Sequence, residues 1–236
     1  MPKQVPIAPQ LNPIRLKTNL KMAISKLQFI QEKKQALTKQ QRRSLAELLK
    51  NEKESSAKIR VENIIRDDIY IELLEVVELY CELLLARINI LLDPGQTECN
   101  SSLVEAVQSI IYSSSYTELK ELGQIKDILS FKYGADFTKE AIDNGEGNVP
   151  EKVVKRCKFD PPSSELVDLY LCEIARFYNV PYSGLKDEII EEKEVSQDDE
   201  KGEKETNQTT EKPETKKTEG SDLDSLKARF AALKGR

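Results

Sequence analysis

The chain contains no histidine, and that absence removes most side-chain catalysis. Ser-His-Asp and Cys-His arrangements both need an imidazole, as does every zinc site with a histidine ligand. The four cysteines, Cys81, Cys99, Cys157 and Cys172, form no C-x-x-C pair. This argues against a disulfide framework or a zinc site. Cys81 and Cys172 fall inside apolar helical patterns and read as small buried hydrophobes. No glycine-rich phosphate loop of the G-x-x-x-x-G-K-S/T kind occurs. Asp68, Glu72, Glu75, Glu78 and Glu82 recur every three or four residues. That spacing spreads the carboxylates along one helix stripe rather than around a point. They read as a solvated or basic-partner-facing side, not a metal site. No nucleophile can be matched with a general base, so the sequence predicts a non-enzyme with no metal and no cofactor.

The chemistry that remains belongs to surfaces. Arg15, Lys17, Lys21, Lys26, Lys33 and Lys34 crowd one early stretch, and Glu32 is the only acid between Arg15 and Arg43. Such a face suits an anionic membrane, where each basic residue near the surface is worth about 1 kcal/mol. It equally suits the acidic half of its own chain or of a neighbouring copy. Nucleic acid is disfavoured, because no RNA- or DNA-binding motif accompanies the charge. At the other end, Leu223, Leu226, Phe230 and Leu233 share one face of a short helical pattern. Ser221 suits its N-cap, and Asp222 and Asp224 favour its first turn. A dozen-residue helix is marginal alone and reads as a ligand that folds into a partner's groove.

These surfaces need elements to hold them. The 236 residues are 39% hydrophobic and 33% charged, which is lean for a wholly globular chain. No apolar run of about 18 residues is present, so no bilayer span is expected. Met1-Pro2-Lys3-Gln4-Val5-Pro6 is too polar for a signal peptide, and the sequence predicts a cytosolic or nuclear protein. The net charge of −5 is segregated: residues 1–60 carry +10, 61–186 carry −10, 187–219 carry −7 and 220–236 carry +2.

Residues 1–10, with three prolines, read as irregular. A long helical pattern follows over 11–50, with apolar positions at Leu16, Leu20, Ala23, Leu27, Ile30, Leu37, Leu45 and Leu48. A polar break at 51–56 precedes a second long pattern over 57–92, apolar on most sides and including Leu79. Two long helices with a short break make an antiparallel hairpin, a basic helix beside an acidic one. Shorter helices are expected at 102–112, 118–133, 137–142, 151–157 and 164–179, with Phe131 and Phe177 among their apolar positions and Gly134 as a C-cap. No strand pattern appears. From 186 to 220 the apolar periodicity is lost, and the segment reads as a disordered acidic linker with an r.m.s. span of about 30–35 Å.

Four stretches carry a resemblance: 16–34 (LKTNLKMAISKLQFIQEKK), 58–91 (KIRVENIIRDDIYIELLEVVELYCELLLARINIL), 119–137 (LKELGQIKDILSFKYGADF) and 161–176 (PPSSELVDLYLCEIAR). They resemble the increased-sodium-tolerance family, the ESCRT-III-like regulators of the vacuolar-sorting AAA ATPase. The resemblance implies an all-α, ESCRT-III-like core over 1–185: a long antiparallel hairpin with shorter helices packed along it. It implies a cytoplasmic protein, peripheral on endosomal membranes in multivesicular-body sorting. Its implied partners are the MIT domain of that ATPase and ESCRT-III subunits of the charged multivesicular body protein type. The segment 221–236 resembles the MIT-interacting motif of ESCRT-III tails, matched at Asp224, Leu226, Arg229, Leu233 and Lys234, with Phe230 where leucine is usual. The alternative is a polymerising, membrane-remodelling coat subunit whose tail is autoinhibitory.

Overall fold

The computed structural model describes residues 12–93, 98–158 and 160–185. The expected irregular start, linker (186–220) and tail helix (221–236) lie outside the described residues. Among those described there are helices and no strands, as the residue patterns predict. Helix α1 (Pro13–Lys50) is 38 residues long, or about 57 Å. Its start is fixed by Asn12, whose side-chain oxygen accepts from the Ile14 and Arg15 amides, and by Pro13 in the first turn. A tight turn over 51–53, with Glu52 left-handed at φ 57°, reverses the chain into α2 (Glu54–Ala86).

Helix α2 starts three residues before its apolar pattern does. Polar Glu54, Ser55 and Ser56 stand in a first turn, where no buried contact is needed, and Ala57 already donates to the Lys53 carbonyl. Helix α2 also ends early, at Ala86, and a short α3 (Ile88–Leu91) continues it. At this break the Arg87 guanidinium donates to the Ser102 carbonyl at 3.3 Å, while Lys132 donates to the Leu91 carbonyl. The ladder is broken where side chains from neighbouring elements hold the freed backbone. The remaining helices are α4 (Ser101–Ser113), α5 (Lys120–Tyr133), α6 (Ala135–Asp143), α7 (Glu151–Cys157) and α8 (Ser164–Tyr178). Gly134 caps α5 at φ 93°, in the left-handed range that glycine tolerates.

The hairpin carries two apolar cores. The larger joins Leu16, Leu20, Ala23 and Leu27 of α1 to Leu74, Val77, Cys81 and Leu84 of α2 and to the buried faces of α4, α5, α6 and α7. The smaller sits at the turn end, where Leu45 and Leu49 of α1 and Val61, Ile64 and Ile65 of α2 meet Val167, Leu171 and Ile174 of α8. Between them the α1 inner face carries buried Gln31, Thr38 and Arg42. Leu37, expected on that stripe, is 44% exposed instead. The buried line runs Leu27, Gln31, Thr38, Arg42, Leu45 in steps of three, four and seven, and position 37 lies off it by about 100°. Leu79, Phe131 and Phe177 are likewise exposed rather than packed inward. The apolar periodicity of α2, α5 and α8 is wider than the face their neighbours cover. Cys81 and Cys172 are buried, as expected, and all four cysteines carry free thiols. Burial, then the carboxylates of Glu78 and Glu82, pushes the Cys81 thiol up to about 12, which leaves it inert.

Candidate functional site

The acidic stripe of α2 faces partners from its own chain. Arg42 of α1 donates to Asp68 with both side chains buried, and the Tyr170 hydroxyl of α8 reaches the same carboxylate oxygen at 3.4 Å. Glu72 pairs with Arg156 of α7 at 2.6 Å. Glu78 accepts from Gln28 at 2.7 Å and Gln31 at 2.6 Å. Pairing of this kind consumes carboxylates along the helix in separate contacts, consistent with a stripe and not a cluster.

The six basic residues singled out on α1 divide into two groups. Lys26 bonds Glu121 of α5 at 2.5 Å. This bond, with Glu121's own backbone and the nearby Lys120, outweighs burial and holds the Glu121 carboxyl below its ordinary value. Lys34 bonds Asp67 at 2.7 Å and stands 5.1 Å above the Tyr70 ring. These two therefore serve the hairpin. Arg15, Lys17, Lys21 and Lys33 stay exposed on its outside. Lys21 also borders a shallow depression between α1 and α2, with Ile24 and Ser25 on one side and Glu82, Leu85 and Ala86 on the other. Asp224, Leu226, Arg229, Phe230, Leu233 and Lys234 of the expected tail motif lie outside the described residues.

Two further surface residues escaped the sequence reading. Met22 is 45% exposed and Phe29 65% exposed, both on α1. Their spacing of seven on the side opposite the Leu16, Leu20, Leu27 stripe is the signal that could have found them.

Residues 17–181 match the family model Ist1, described as "Regulator of Vps4 activity in the MVB pathway". The chain belongs to the Ist1 family. Its increased-sodium-tolerance resemblance is thereby confirmed on the same helices that carry the hairpin. Vacuolar protein sorting-associated protein IST1 of Saccharomyces cerevisiae is 46% identical over 192 residues, covering 78% of this chain and 64% of the relative. An IST1-like protein of Dictyostelium discoideum is 37% identical over 176 residues, or 75% of this chain and 47% of the relative. This Ist1-family chain thus spans about half to two thirds of the curated relatives it matches. The crystal structure of the S. cerevisiae Ist1 N-terminal domain in complex with a Did2 MIM motif superposes with a TM-score of 0.68 at 47% identity. The match covers 73% of this chain and 95% of that one. The Ist1 fold is therefore the fold of this core.

Proposed function

We propose that this Ist1-family chain is a non-catalytic regulator and recruiter of the vacuolar-sorting AAA ATPase, peripheral on endosomal membranes in multivesicular-body sorting. The core (1–185) receives a MIM-type helix from another ESCRT-III subunit. The linker (186–220) tethers the helix 221–236, which binds the MIT domain of the ATPase. In that contact Leu226, Phe230 and Leu233 fill the groove, and Asp224, Arg229 and Lys234 set its polarity.

The observation that carries this reading is the solved relative: a core at 47% identity whose crystal holds a Did2 MIM motif. The family's description as a regulator of Vps4 activity gives the direction of the function. The tail contributes the second contact through the order of its charges and the three/four spacing of its apolar residues. Burying three such side chains, less the ordering of a short helix, gives micromolar binding, near −8 kcal/mol.

The test is a fluorescence-anisotropy titration of labelled peptide 221–236 with the purified MIT domain of the ATPase. Saturation in the micromolar range, lost in Leu226→Asp and Leu233→Asp peptides, is expected. Absence of binding at high micromolar concentration removes the tail from the function and leaves the core to carry it alone.

A further inference from the structure

The outward face of α1 carries an apolar stripe that the packing of the core leaves uncovered. Phe29 is 65% exposed and Met22 45%. Seven residues apart, they lie about 10 Å apart along the axis and drift by only about 20° around it. Ile14, 78% exposed, extends the apolar surface toward the start of the helix. Helix α1 cannot rotate these residues inward. Leu16, Leu20, Ala23 and Leu27 lock the opposite side of the same turns into the larger core.

The stripe is framed by positive charge. Arg15 precedes Met22 by seven residues, and Lys33 follows Phe29 by four, so both continue the line. Lys17 and Lys21 stand beside it, exposed, and Glu32 is the single acid nearby. Lys26 is held by Glu121 and does not contribute. The face is a convex ridge. A protein partner would have to supply a matching groove, whereas a bilayer yields around a ridge.

We infer that this face of α1 lies on an anionic membrane, with Phe29 and Met22 inserted at the boundary between headgroups and acyl chains. Arg15, Lys17, Lys21 and Lys33 then reach the lipid phosphates and carboxylates. The inference rests on the proposed membrane setting, and the MIT and MIM contacts play no part in its test.

The chain has no tryptophan, so Phe29→Trp in the full chain places a single indole on the stripe. With vesicles of phosphatidylcholine and phosphatidylserine, its emission shifts to the blue and is quenched by brominated acyl chains. Leu79→Trp, on the exposed outer side of α2, stays unshifted under the same conditions. A Met22→Ser/Phe29→Ser protein of unchanged helical circular dichroism cosediments about 10-fold more weakly, the effect of losing part of the burial of two apolar side chains. Wild-type cosedimentation with an unshifted, unquenched indole overturns insertion and leaves a purely electrostatic membrane contact. No cosedimentation overturns the membrane setting itself. A blue shift that grows with protein concentration in the absence of vesicles assigns the stripe to a second copy of the chain and overturns the inference.

Discussion

Arg42 and Asp68 form a buried ion pair at the seam between the two cores, and Tyr170 brings α8 onto the same carboxylate. Three elements distant in sequence converge on one charged contact. Removing one partner of such a pair strands the other charge in a poorly solvated site. Asp68→Ala is expected to destabilise the core by about 3–5 kcal/mol. Replacing both partners, as Arg42→Met with Asp68→Leu, recovers most of that loss, because it leaves no uncompensated charge. Urea denaturation of the three variants checks both parts. A midpoint for Asp68→Ala equal to wild type would show that the pair contributes nothing to holding the seam.

The Lys26–Glu121 contact gives the stability a pH dependence of known sign. Glu121 titrates below its ordinary 4.5 in the folded chain, first because Lys26 donates to it. A carboxyl lowered by folding adds stability above its unfolded value, and that stability is lost as pH falls through the folded value. Asp168 acts in the same direction. Burial alone would raise it, but Lys58 and Tyr182 donate to it and bring it below 3.8. Glu121→Gln should therefore lose thermal midpoint at neutral pH and show a smaller further drop between pH 5 and pH 3 than wild type does. Parallel melting curves across that range would contradict the assignment.

Leu74 and Leu79 test the two sides of one helix. Leu74 is fully buried in the larger core, and Leu79 is 63% exposed. Leu74→Ala should cost about 2–5 kcal/mol through lost burial and a residual cavity. Leu79→Ala should fall within about 0.5 kcal/mol of wild type. Chemical denaturation of the two variants decides it, and equal losses would mean that the outer side of α2 is covered in solution.

On the tail, Leu226→Ala and Leu233→Ala should each weaken binding of the 221–236 peptide to the MIT domain by about 10-fold, the equivalent of about 1.5 kcal/mol of lost apolar burial. Phe230→Leu, which restores the residue usual in such motifs, should leave affinity within a few-fold. Anisotropy titrations report all three. A large gain for Phe230→Leu would mean that the groove has no room for the ring.

The sequence alone determined the fold class, the order of the helices and the absence of catalytic machinery. Helical spacing is a local property, written in steps of three and four, and the lack of histidine is a matter of composition. Asn12, Gly134 and Ser163 mark helix ends by short-range hydrogen bonds and backbone preference, which need no tertiary context. Tertiary structure decided which polar residues enter the core and which apolar ones stay out. Nothing in the spacing separates Leu37 from Leu45, or says that Arg42 is buried while Arg43 is exposed. That depends on Asp68 arriving from α2 and Tyr170 from α8. It likewise divided the six basic residues of α1 into Lys26 and Lys34, held by carboxylates of α5 and α2, and four whose charge faces outward. Charge along a chain is readable from residue types. Whether a given charge meets an opposite one within a few ångströms depends on how helices cross.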